Sequence, residues 1–205
     1  MFERIAKERI ERRLGSSLIP LRFMGKNFND YRADSAAQRE NLAICQEYAE
    51  KFVEHYEAGR CLILLGKVGT GKTHLATAIA GHVVVNHGMV AAYRTVSGIL
   101  QFIKGSFDNR AEYTEAEAYE SLIEPHLLVI DEAGATKPTE FEMAAMFTLI
   151  NGRYEQQKPT ILISNLMPDE LGPVIGERCV DRLRESGGIC LVFDWASARK
   201  VAGHD

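Results

Sequence analysis

The sequence predicts an α/β fold, a parallel sheet flanked by helices, and three stretches predict it. Gly66-Lys67-Val68-Gly69-Thr70-Gly71-Lys72-Thr73 has the pattern G-x-x-x-x-G-K-T of a phosphate-binding loop. Cys61-Leu62-Ile63-Leu64-Leu65 runs apolar into Gly66, as a strand buried on both faces does. His126-Leu127-Leu128-Val129-Ile130-Asp131-Glu132 places two carboxylates after four apolar residues. In open α/β sheets ligands bind beyond that end of a strand.

The loop predicts its own chemistry. Its glycines let successive backbone N–H groups turn toward anionic oxygens. Gly66, Val68, Gly69, Thr70, Gly71, Lys72, Thr73 and His74 are therefore the expected nucleotide-binding residues. Lys72 is expected on the β- and γ-phosphates, and the Thr73 hydroxyl on Mg²⁺. Leu75, Ile79, Ala80 and Val83 continue at helical spacing, with Gly88 at the helix end. That helix points its positive N-terminal end at the phosphates. Asp131 is the expected second holder of Mg²⁺. Glu132 is placed to polarise the attacking water.

Taken in order, residues 2–14 read as an amphipathic helix, with Phe2, Ile5, Ala6, Ile10 and Leu14 on one stripe and basic residues in excess. It is either a face packed on its own domain or a docking or nucleic-acid-facing arm. Gly15 to Met24 reads as a linker through Pro20. Ser35 caps a helix expected to run to about Ala58. Met89 to Arg94 is a second strand, and Thr95 or Ser97 caps a following helix. Gly105 to Glu124 is rich in Asp and Glu and reads as an exposed acidic excursion. Glu140 to Tyr154 is helical, with Phe141, Ala144, Ala145, Phe147, Thr148 and Ile150 available for packing. Pro159 to Ile163 is a strand ending in Ser164-Asn165; Asn165 is either a γ-phosphate or water contact or a turn residue. Arg178, Arg182 and Arg184 lie on a short helix, and Ile189 to Phe193 is the last strand.

Composition narrows the function classes. The chain has 205 residues, 46% hydrophobic, enough for one domain with a short appendage. The expected division is 1–24, an N-terminal helix and linker, and 25–205, the nucleotide-binding domain. A net charge of −4 argues against a protein that coats nucleic acid by bulk charge, though not against one basic groove. No run approaches the length of a membrane span, and the charged N-terminus does not read as a secretion signal. A cytoplasmic protein without a membrane partner is expected. Cys45, Cys61, Cys179 and Cys190 form no C-x-x-C pair; Cys61 and Cys190 lie in apolar runs and are expected to be buried.

Together these stretches resemble the DnaC/IstB group of AAA+ ATPases over residues 20–203. The resemblance rests on Phe28-Asn29-Asp30-Tyr31, the phosphate loop, Leu128 to Glu132, Ser164-Asn165, Gly176 to Leu183, and Phe193-Asp194-Trp195-Ala196-Ser197-Ala198-Arg199. It implies a five-stranded parallel AAA+ sheet with little or no separate C-terminal lid, ATP with Mg²⁺, and self-association into a helical or ring-like oligomer. Asn165 matches the sensor-1 position, Arg182 the arginine finger that reaches a neighbour's γ-phosphate, and Arg199 the sensor-2 arginine. Without the family motif, a surface ion pair with Asp181 or Glu185 is the stronger reading of Arg182; the match to the motif reverses it. The catalytic set implied is thus Lys72, Glu132, Asn165, Arg182 and Arg199.

Family loaders contact single-stranded DNA through the region after the second strand. Here that region carries Phe102, Lys104 and Phe107, of which Lys104 is the candidate contact and the phenylalanines are equally core residues. The implied partners are a hexameric replicative helicase and single-stranded DNA. Such loaders carry an N-terminal helicase-binding domain, for which the short stretch before residue 25 leaves little room. A truncated chain, or a relative that recruits by another route, is the expectation. The rival readings are an IstB-type helper of DNA transposition, a P-loop kinase and a module that holds ATP without turnover. The Asp131-Glu132 pair, suited to activating water, argues against the kinase.

Overall fold

The computed structural model describes residues 17–135 and 137–198. The expected helix over 2–14 and Arg199 lie outside the described residues. In chain order the elements are α1 (Ala36–Glu50), α2 (Phe52–Glu57), β1 (Leu62–Gly66), α3 (Lys72–Asn86), β2 (Ala91–Thr95), α4 (Val96–Gly105), α5 (Glu115–Ile123), β3 (Leu127–Ala133), α6 (Glu140–Glu155), β4 (Thr160–Ser164), α7 (Pro168–Ile175), α8 (Glu177–Arg184) and β5 (Ile189–Phe193).

Five parallel strands lie in the order β2-β3-β4-β1-β5, the AAA+ arrangement. Strand alternation sorts the core into two layers. Leu62, Leu64, Leu127, Val129, Ile161 and Ile163 pack with α1 and α3 on one face. Ile63, Leu65, Leu128, Ile130 and Leu162 pack with α4 to α8 on the other. β1 and β4 are buried at every position, which is why their sequences read as unbroken apolar runs.

The helix expected from Ser35 to Ala58 starts as read. Ser35 accepts from the Gln38 N–H, and the Gln38 side chain accepts in return from the Ser35 N–H, a capping box. It breaks at Lys51, after which Phe52 is buried in the core and His55 stacks on Tyr48 at 4.4 Å. Thr95, not Ser97, caps α4. In the stretch read as a linker, Ser17 and Ile19 are buried, and Tyr93 N–H donates to the Ser17 carbonyl at 2.7 Å.

Three expectations are corrected. The acidic excursion contains α5, capped reciprocally by Thr114 and Glu117, with Ala118 and Leu122 buried at helical spacing and the carboxylates facing out. On α6 the buried positions are Ala145, Met146, Leu149, Ile150 and Arg153, while Ala144 and Thr148 are exposed. Cys190 is exposed, because β5 is an edge strand that buries only Leu191 and Phe193 fully. The chain also forms α7, opened by Pro168 at its first turn, a position where proline costs no hydrogen bond.

Candidate nucleotide site at the strand tips

The phosphate loop joins β1 to α3 and is tied down through its carbonyls. Thr70 O accepts from the Tyr31 hydroxyl and from Trp195 Nε1, each at 3.1 Å. Gly69 O accepts from Ala198 N–H at 2.8 Å. The Thr70 hydroxyl donates to Lys67 O at 2.8 Å. The Gly66 and Lys67 N–H groups are themselves bonded, to Leu166 O and Phe193 O, so the loop N–H groups beyond them are the candidates for an anion. Gly71 has φ +97°, and a side chain there would meet the Tyr31 ring. That position admits only glycine, both for conformation and for space.

Lys72 is 5% exposed, and its ammonium donates to Gly66 O at 2.5 Å and Lys67 O at 2.6 Å. His74 bonds Asn27 O through Nε2 at 2.9 Å and stands edge-on to Tyr31, so its ring anchors the preceding segment while its backbone belongs to the first turn of α3. Val68 is exposed on the loop.

Asp131 is buried at the end of β3 and accepts three hydrogen bonds. Thr73 Oγ1 donates to Oδ2 at 2.8 Å, the Tyr93 hydroxyl to the same oxygen at 2.7 Å, and Glu132 N–H to Oδ1 at 2.7 Å. Burial, then the bond to Asp131, raises the Tyr93 phenol far above its ordinary value, so it stays a donor at any working pH. The hydroxyl and carboxylate that converge here are hard oxygen ligands, a set that fits Mg²⁺. Tyr93 carries no signal in the G-K-T or D-E patterns; the clue is a phenol within the strand beside β3.

Glu132 lies where the β3–β4 register shifts, between Ile130 and Ala133. Its φ is +62°, a conformation that disfavours side chains, and it is exposed. It opens onto a cleft of about 450 Å³ that Lys104, Ser97, Met143 and Val174 also line. Lys104 Nζ sits 5.2 Å from the centroid of Phe141. Phe102 is half-buried and stacked on Tyr113, whereas Phe107 is exposed and edge-on to Phe141.

Asn165 is exposed immediately after β4. Its neighbours fix its place: Ser164 Oγ donates to Ala133 O at 2.6 Å, and Leu166 O accepts from Gly66 N–H at 3.1 Å. The tip of β4 is thus tied to those of β3 and β1. The structure brings Lys72, Thr73, Asp131, Glu132 and Asn165 to one end of the sheet. Arg182 stands apart on α8, where it contacts Asn151, Tyr154 and Glu185.

The sequence matches the IstB-like ATP binding protein family over residues 3–182. The chain belongs to this IstB-like family. Among its curated relatives, the replicative helicase loader DnaC of Buchnera aphidicola from Acyrthosiphon pisum is 32% identical over 198 residues, covering 96% of this chain and 79% of that protein. DnaC of Escherichia coli K12 is 30% identical over 180 residues, covering 87% and 71%. These relatives are named as helicase loaders, so the transposition-helper alternative is not favoured. A crystal structure of the DnaC helicase loader superposes with a TM-score of 0.75 at 22% identity, over 84% of this chain and 99% of that one. The replication initiator DnaA bound to AMPPCP and single-stranded DNA superposes at 0.69 and 21%, over 83% and 50%. At such identities the likeness establishes the fold. The chain thus belongs to a family of ATP-binding proteins and shares its fold with the DnaC and DnaA structures.

Proposed function

We propose that the protein is a DnaC-type helicase loader, a cytoplasmic ATPase that assembles on ATP and places a ring helicase on single-stranded DNA. The observation that carries this reading is the identity of 30–32% to relatives named as replicative helicase loaders, over most of both chains. No helix among the described residues is long and apolar enough to cross a membrane, in keeping with it.

Magnesium-bound ATP supplies the phosphoanhydride that is broken. Lys72 holds the β- and γ-phosphates with the loop N–H groups of Val68 to Thr73 and His74. Thr73 and Asp131, on two elements that already touch, would hold Mg²⁺, which would supply positive charge to the phosphates. Glu132 accepts the proton of the attacking water, and Asn165 aligns that water with the γ-phosphate. Arg182 comes from a neighbouring subunit and stabilises the charge that develops on the γ-phosphoryl oxygens, an effect worth about 10³–10⁵ in rate in other phosphoryl-transfer systems. Arg199, which matches the sensor-2 arginine, completes the proposed catalytic set. Lys104 is the proposed contact to a DNA phosphate.

The test is a trap. A Glu132→Gln variant binds ATP without turnover and is loaded on beads, and the proteins retained from host lysate are identified by mass spectrometry. Enrichment of a hexameric replicative helicase in ATP, with loss in ADP, is expected. Retention of a transposase instead, or of no helicase, overturns the loader reading.

A further inference from the structure

Arg182 is built into a cluster that fixes the plane of its guanidinium. Nε donates to Asn151 Oδ1 at 3.3 Å, Nη1 donates to Glu185 at 3.3 Å, and the group lies 4.4 Å above the centroid of Tyr154. Asp181 makes only a long contact, 3.9 Å. The supports are themselves held. Asn151 Nδ2 donates to Glu155 at 2.8 Å, which turns its amide oxygen toward Arg182. The Glu185 carboxylate also acts on the Tyr154 hydroxyl, raising the phenol above its ordinary value. All three supports stand on α6 or immediately after α8.

The arrangement makes little sense as stabilisation. The Arg182–Glu185 pair is partly exposed on both sides, and such pairs are worth about 0–1 kcal/mol. It makes sense as orientation. A guanidinium offers five N–H groups in a rigid fork. Here one edge hydrogen goes to Asn151 and one Nη1 hydrogen to Glu185. Among the described residues no other hydrogen bond takes the remaining hydrogens, including both on Nη2. Among the described residues, none of these bonds reaches the chain's own phosphate loop or its Asp131-Glu132 pair.

We propose that Asn151, Tyr154 and Glu185 are positioning residues that aim Arg182 at the nucleotide of a neighbouring subunit. The inference rests on the reading of Arg182 as a finger acting between subunits. Because the exposed ion pair is cheap to rearrange, Glu185 orients the guanidinium and does not sequester it. Misplacing a catalytic group by about 1 Å can cost up to about 10²-fold in rate, so the supports matter to turnover even where they add nothing to stability.

Mixed protomers test this. Glu132→Gln chains donate a finger but cannot turn over, and Arg182→Ala chains offer a working site without a finger, so their mixture is expected to hydrolyse ATP faster than either alone. Asn151→Ala or Glu185→Ala is then added to one partner at a time. In the finger-donating chain, either change is expected to lower kcat by roughly tenfold with KM for ATP unchanged. In the site-donating chain, the same change is expected to do nothing. An unchanged or faster rate with the support removed from the finger donor overturns the positioning role and leaves the finger reading intact. An equal fall from either chain assigns these residues to general structure and also overturns it. If the parent mixture is no more active than its components, the finger reading itself fails, and the positioning role with it.

Discussion

The Tyr93 hydroxyl donates to Asp131 Oδ2 at 2.7 Å, the same oxygen that accepts from Thr73 at 2.8 Å. β2 thereby holds the carboxylate that the phosphate-loop helix approaches from the other side. A hydrogen bond to a charged group contributes about 1.5–3 kcal/mol. Tyr93→Phe keeps the ring and deletes the bond, so urea denaturation is expected to show a loss of about that size. The carboxylate is then free to rotate, and half-maximal ATP turnover is expected to need several-fold more Mg²⁺. Unchanged Mg²⁺ dependence would remove Tyr93 from the site.

Arg153 is fully buried and donates to Thr160 Oγ1 and to the carbonyls of Leu122, Ile123, Pro125 and Pro159. Burial lowers its pKa to about 10, which still leaves it charged near neutrality. It closes the C-terminal end of α5, where a cation meets unpaired helix carbonyls, and ties it to the start of β4. Arg153→Met keeps much of the volume but orphans those carbonyls, at about 1–3 kcal/mol for each group left unpaired. A loss of at least about 3 kcal/mol in urea denaturation is expected, with Arg153→Lys recovering only part of it because an ammonium cannot reach the same fork.

These two residues mark where the sequence stops being legible. β1, β3 and β4 could be read because burial on both faces leaves no polar position in the run, and the phosphate loop because its backbone geometry demands glycine. Arg153 looks like any solvated helix residue, since nothing in its own helix reveals that five acceptors, from residues 122–125 and 159–160, converge on it. The acidic face of α5 hid the Ala118 and Leu122 stripe in the same way. Cys190 sits in an apolar run that resembles β1, and only the strand order makes it an edge. Tyr93 needed the β2–β3 pairing before its phenol had a partner. Local periodicity carried the elements; contacts distant in sequence carried the remainder of the site.

Acid sensitivity should trace to His55. Burial first, then the positive Arg60, lowers its pKa from the ordinary 6.5; Arg60 Nη1 lies 3.2 Å from Nδ1. The unfolded chain therefore binds this proton more readily than the folded one. The sign follows: the stabilisation is complete above about pH 6.5 and is lost as pH falls through that value toward the lower folded pKa. His82, lowered by burial and by His87, acts in the same direction. His55→Gln is expected to flatten the fall in urea midpoint between pH 7 and 5. A profile as steep as that of the unaltered chain would assign the acid sensitivity elsewhere.

If Glu132 is the proposed base, it carries a trade between strain and chemistry that one substitution can expose. Its φ of +62° costs a side-chain-bearing residue about 1–2 kcal/mol, whereas glycine adopts it freely. The register shift in β3 maintains that conformation, and the side chain is exposed at the cleft beside the strand tips. Glu132→Gly should relieve the strain, less the extra entropy that glycine gives the unfolded chain. The expected net result is a gain of up to about 1 kcal/mol in thermal or urea stability with ATP turnover abolished and nucleotide binding retained. Glu132→Gln, which keeps the strain, should lose turnover without that gain. If glycine instead destabilises the fold, the conformation is supported by contacts of the side chain and is not a cost borne for its chemistry.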